Sequence, residues 1–139
     1  MELPGSVPEE TFEALIFDWD GTVVPDRRAD ATLARHYIEA LCAAGVHVFV
    51  VSGTHVGNVD GQLGARPRGR GHLFLCCNRG SEVFEVRGGA PRLVHRLTAG
   101  SAEDQALDRA ARETVDRLAE RGLTARMVST SSPGSSHPG

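Results

Sequence analysis

From Val46 to Val51 the chain reads Val-His-Val-Phe-Val-Val, rich in β-branched residues and without clean alternation of polar and apolar positions. This run limits the possible folds more than any other stretch. A strand of this kind reads as buried on both faces, and parallel sheets covered by crossover connections produce that pattern. The preceding residues supply a crossover. From Asp30 as a helix N-cap, Leu33, Tyr37, Leu41 and Ala44 recur at spacings of four, four and three, and Gly45 stands where a C-cap belongs. Before that helix, Ala14 to Trp19 is a short apolar run closed by Gly21 and Thr22, which reads as a buried first strand opening into a turn. Strand, helix and strand in this order imply a right-handed crossover.

The pattern continues and then changes. Val56, Val59 and Leu63 mark a short helix, and after the loop Ala65 to His72 the apolar run Leu73 to Cys77 predicts a third parallel strand. Ser81 to Val86 alternates, Gly88 and Gly89 turn the chain, and Arg92 to Leu97 completes a hairpin, so the parallel section ends in antiparallel pairing. Ser101 with Asp104 resembles a capping box, ahead of an apolar stripe of Leu107, Ala111, Val115 and Leu118 and a closing Gly122. Leu123 to Val128 could form one more strand. Beyond it, Ser129 to Gly139 is a low-complexity tail that cannot bury a core.

Composition narrows the function classes. The 139 residues suit one compact domain or part of a larger one. Fifteen basic against eighteen acidic side chains leave a net charge of −3, which argues against a nucleic-acid binder. Every basic residue is Arg, so no side-chain ammonium is present. No apolar run is long enough for a membrane span and no export signal is evident, so the expected compartment is the cytoplasm. Cys42, Cys76 and Cys77 are odd in number and lie in apolar patterns, which favours reduced thiols. Zinc-ligand spacing is missing.

The sharpest chemical feature is Phe17-Asp18-Trp19-Asp20-Gly21-Thr22-Val23. Residues i and i+2 of an extended segment point the same way, so Asp18 and Asp20 can present two carboxylates at a strand's C-terminal end, where open α/β sheets bind ligands. Such a pair repels itself, and Mg²⁺ is the natural neutraliser of an oxygen-only site. A polar turn at a strand end is the plainer alternative. An EF-hand fits poorly, because its sixth and twelfth loop positions would be Val23 and Ala29. Trp19 is expected to pack, since it points away from the carboxylates.

The Asp-x-Asp-Gly-Thr-Val signature after a hydrophobic strand resembles motif I of the haloacid dehalogenase superfamily of phosphohydrolases. Val50-Val51-Ser52-Gly53-Thr54 is similar to motif II, in which Ser or Thr closes the next strand. Cys77-Asn78-Arg79-Gly80-Ser81-Glu82-Val83 resembles the stretch leading into the cap of the sugar-phosphatase branch, which includes phosphomannomutase-like and trehalose-phosphatase-like members. The resemblance implies an α/β fold with a partial Rossmann-like parallel core over residues 1–80, the beginning of an α+β cap over 81–128, and a flexible tail over 129–139. It implies that Asp18 is a nucleophile forming an aspartyl-phosphate and that Asp20 is the general acid and then base. Ser52 and Gly53 would bind the substrate phosphate, and Asp18 with Asp20 would hold Mg²⁺. The implied substrate is a small phosphorylated metabolite, such as a sugar phosphate.

The family's third motif supplies a Lys or Arg and its fourth supplies acids for the metal. No Lys occurs here, and after Gly122 there is Arg126 but no acid. The sequence therefore reads as a chain cut short of the family's full core. A non-catalytic remnant that binds phosphate or metal, or an interaction module, is the rival reading. Arg66, Arg68 and Arg70 read as a solvated loop, and His55 as a surface residue at a helix start.

Overall fold

The computed structural model describes residues 11–128. Strands β1 (Ala14–Asp18), β2 (His47–Val51) and β3 (Leu73–Cys77) lie side by side in parallel, connected by helices α1 (Thr32–Ala43) and α2 (Val56–Leu63). A 3-10 turn at Asn78–Gly80 then reverses the chain. Strand β4 (Glu82–Val86) runs antiparallel to β3, and β5 (Arg92–Arg96) antiparallel to β4, so the strands lie in the sheet in sequence order. Helix α3 (Ser101–Glu120) follows. The fold is α/β, with a five-stranded, partly parallel sheet compatible with a Rossmann-like core. The chain divides into two units, one ending at Leu97 and the other beginning at Thr98.

The core of the first unit lies on one face of the sheet. Val48, Val50, Leu73 and Leu75 are buried there together with Ile38 and Cys42 of α1 and Val59 and Leu63 of α2. The expectation that β2 is buried on both faces is corrected. His47, Phe49 and Val51 are only half-buried between Val48 and Val50, because both helices of this unit pack against the same sheet face. On the opposite face Phe49 and Phe74 stack, with ring centroids 4.9 Å apart.

The first strand is likewise not buried. Among the described residues it sits at the sheet edge with β2 as its one neighbour, and Ile16 is 67% exposed. The stripe expected on α1 is displaced as well: Leu33 and Tyr37 are 68% and 63% exposed, while Ile38 and Cys42 are buried with Ala34 and Leu41 packed beside them. Residues 34, 38, 41 and 42 follow the i, i+4, i+7, i+8 pattern of one helix face, so the true stripe is the neighbouring row. Asp30 does not cap α1. Ala31 holds the N-cap position, and Asp30 instead accepts a bond from the Thr32 hydroxyl at 2.7 Å.

The loop into β3 passes close over the end of α1. Gly71 donates its N–H to the Cys42 carbonyl at 2.8 Å, and a Cβ on Gly71 would overlap the Val46 carbonyl oxygen and lie 2.7 Å from the Cys42 Cα. Only glycine permits this approach.

In the second unit Gly100, not Ser101, caps α3, and its N–H bonds to the Glu103 carboxylate at 2.9 Å. No residue of α3 is buried. Leu123–Val128 forms no strand, and the tail expected from Ser129 onward lies outside the described residues. Among the described residues no helix is long and apolar enough to cross a membrane.

Candidate active site

The parallel arrangement brings the C-terminal ends of β1, β2 and β3 together. Register pairs Asp18 with Val51 and Val51 with Cys76, so the residues following each strand emerge at one end of the sheet. Backbone bonds carry the alignment past the strands, from Trp19 N–H to the Val51 carbonyl and from Ser52 N–H to the Cys76 carbonyl, each 2.9 Å.

A tight turn after β1 sets both aspartates. The Trp19 carbonyl accepts N–H bonds from Thr22, Val23 and Val24, and Gly21 takes a φ of +75°, a backbone state that glycine adopts without strain. Trp19 is fully buried and its indole N–H donates to Gln62 Oε1 at 3.0 Å, so it packs as expected and anchors the turn to α2. Asp18 is exposed and accepts a bond from the Thr22 hydroxyl at 2.8 Å. Asp20 is half-buried and accepts the Ser52 hydroxyl at 2.5 Å.

Ser52 is 1% exposed. Its hydroxyl also receives the Thr54 N–H at 3.2 Å, so one oxygen joins Asp20 to the loop that opens α2. The structure thus brings Asp20 and Ser52 into direct contact across two strands. Asp18 is bonded locally, within its own turn. Gly53 is exposed, with nothing within 4 Å of where a Cβ would stand. Asp18 and Asp20 supply hard oxygen donors of the type Mg²⁺ prefers. Among the described residues no group of three or more His, Cys, Asp or Glu side chains is arranged to hold a metal.

Sequence reasoning missed the third strand's contribution. Asn78 and Arg79 adopt φ values of +50° and +60° in succession, and their N–H groups bond the Thr54 and Ser52 carbonyls at 2.9 and 3.3 Å. A left-handed backbone costs a residue such as Arg about 1–2 kcal/mol, and such strain persists only where surrounding contacts impose it.

Those contacts centre on Glu82. Only 7% exposed, it accepts bonds from Arg96 at 2.8 and 3.3 Å and from the Asn78 side chain. The Arg96 bonds hold its carboxyl below the usual range, burial opposes them, and Asn78 adds to the lowering. Period-two alternation gives no sign that a charged residue is buried. Glu82 faces Arg96 across the hairpin only through a register that shifts between Val83 and Phe84, which no local sequence pattern marks.

Burial pushes the Cys77 thiol up to about 12, with Cys76, Glu82 and Asp20 adding to the rise, so this cysteine is inert as a nucleophile. All three cysteines are free thiols. Arg66 is engaged with Asp60 at 2.8 and 3.1 Å rather than offered to a ligand. His55 occupies the N-cap position of α2 and is exposed. A scan against protein-family models finds no match for this chain, and a search of the curated proteins finds none either.

Proposed function

We propose that the chain carries the phosphate-handling half of a Mg²⁺-dependent phosphohydrolase of the haloacid dehalogenase type, acting on a small phosphorylated metabolite through an aspartyl-phosphate. The observation that carries this reading is the Asp20–Ser52 contact at the C-terminal ends of two parallel strands, just beyond the Asp18–Val51 pair. It places the residues of both motif-like stretches at one end of the sheet, where ligands of open α/β folds bind. We read the β4–β5 hairpin and α3 as the start of a cap.

In this reading an Asp18 carboxylate oxygen attacks phosphorus, the bond to the leaving oxygen breaks, and Asp20 passes its proton to that oxygen. Water then attacks the acyl-phosphate, Asp20 takes its proton, and Asp18 is regenerated with release of phosphate. Asp20 accepts the Ser52 hydroxyl in the structure, so the proton it passes in the first step is one its carboxyl takes from water or from the phosphomonoester on binding, and the proton it takes from the attacking water restores it. The Ser52 hydroxyl has a single proton, so donating it to a phosphoryl oxygen releases Asp20 for acid–base work. The exposed Gly53, with free space on its Cα side, leaves room for an anion beside Ser52. Asp18 and Asp20 would hold Mg²⁺, which supplies Lewis-acid neutralisation of phosphoryl charge when bound.

A phosphate- or metal-binding module without turnover is the second reading, and the small donor set favours it: two carboxylates leave Mg²⁺ dependent on substrate oxygens. Steady-state hydrolysis of an aryl phosphate, with and without EDTA, separates the two. The phosphohydrolase reading expects chelator-sensitive turnover that Asp18→Asn abolishes and Asp20→Asn slows most for poor leaving groups. Turnover unchanged in Asp18→Asn, or indifferent to EDTA, refutes it.

A further inference from the structure

A phosphoryl dianion entering beside Asp18 and Asp20 meets two carboxylates, and the chain has no Lys to offset them. Among the arginines, Arg66, Arg92, Arg96 and Arg117 are paired with Asp60, Glu85, Glu82 and Glu113. Arg79 is different. Its side chain is exposed, it forms no ion pair among the described residues, and its own N–H is bonded to the carbonyl of Ser52.

The backbone holding Arg79 there is strained and externally fixed. Asn78 and Arg79 are both left-handed, and Asn78 is held from one side by the Thr54 carbonyl and from the other by buried Glu82, which Arg96 of β5 secures in turn. A surface arginine with no ligand to meet has no need of that arrangement; a glycine would fit the turn without strain. We propose that Arg79 is the anion-binding cation of this site, donating charge-assisted hydrogen bonds to the phosphoryl oxygens of a bound phosphate or phosphomonoester, with the Asn78–Glu82–Arg96 chain as its positioning support.

This inference rests on the strand ends being the phosphate site of the proposed function, so binding and turnover are measured separately. Inorganic phosphate is titrated into the full chain with Mg²⁺ present, following the Ser52 and Gly53 amide resonances. Arg79→Ala is expected to weaken phosphate binding between about tenfold and a hundredfold, the range of one hydrogen bond to a charged group. Arg79→Lys recovers part of the affinity, as a point charge without the fork geometry. Arg68→Ala, on the loop that enters β3 from the other end of the strand, leaves it unchanged.

Arg79→Gly guards against misfolding. It suits the positive φ, so it is expected to melt no lower than the parent while binding phosphate as weakly as Arg79→Ala. Phosphate affinity within about twofold of the parent in either variant, an equal loss in Arg68→Ala, or no saturable binding by the parent overturns the proposal. Lost binding in Arg79→Ala with no aryl phosphate hydrolysis by the parent keeps the arginine and refutes the phosphohydrolase. Turnover and affinity both intact in Arg79→Ala do the reverse.

Discussion

Replacing Ser52 by alanine tests the contact on which the site is built. The substitution keeps the β-carbon and removes only the buried hydroxyl, which donates to Asp20 at 2.5 Å and accepts from Thr54 at 3.2 Å. A hydrogen bond to a charged group contributes about 1.5–3 kcal/mol. Asp20 is half-buried, so water replaces part of the lost bond and the lower end applies. Thr54 is also half-buried, and its freed N–H can find water. The sum is a loss of about 1.5–2 kcal/mol. In urea, with m of about 1–3 kcal/mol/M, the midpoint falls by roughly 1 M at constant m. A double-mutant cycle with Asp20→Asn isolates the pair, and the two changes should couple by about 1 kcal/mol. A Ser52→Ala effect below about 0.5 kcal/mol, or additivity of the two variants within that margin, would refute the contact.

Three further outcomes follow from the packing and the charges. Gly71→Ala drives a methyl into the Val46 carbonyl and the end of α1, and should destabilise the first unit by at least about 2–3 kcal/mol in denaturant titration, the scale of overpacking in a closed site; a change near zero would show that the loop lifts freely. Burial raises the pKa of all three thiols and leaves Cys42 and Cys77 inaccessible while Cys76 is half-exposed, so a disulfide reagent should modify one cysteine in the native chain and all three after unfolding; rapid native modification of Cys77, read by peptide mass, contradicts this. Glu82 has its folded pKa lowered, chiefly by Arg96, so its contribution to stability is full above the unfolded value of about 4.3 and disappears as pH falls through the folded value. The stability gap between the parent and Glu82→Gln should therefore narrow from pH 6 to about pH 3, and a gap independent of pH would remove the ion pair from the account.

The element order was legible in the sequence because each strand and helix has its own apolar period and its own breakers. β3, the β4–β5 hairpin and α2 fall where Leu73–Cys77, Gly88-Gly89 and Val59 with Leu63 place them. Burial was harder to read. A run such as Val46 to Val51 tolerates burial on both faces without requiring it, and only the location of the two helices decides that Phe49 and Val51 stay half-open. Leu33 and Tyr37 looked like a stripe because two adjacent rows of α1 are apolar, and the sheet selected the row with Ile38 and Cys42. At the candidate site, the motif-like settings of Asp18, Asp20 and Ser52 single them out in the sequence, and the structure brings Asp20 and Ser52 into contact. The Asn78–Glu82–Arg96 chain was not, because it depends on a turn of positive φ and on cross-strand register, neither of which has a local pattern in sequence.

The central claim is that Asp18 becomes phosphorylated. The full chain is incubated with Mg²⁺ and an aryl phosphate, quenched in acid to preserve the acyl-phosphate, digested, and the peptide containing Asp18 is weighed by mass spectrometry. The account predicts a gain of one phosphoryl group on that peptide, removed by hydroxylamine and missing in Asp18→Asn. No adduct on the parent chain, or an adduct that persists in Asp18→Asn, would contradict it.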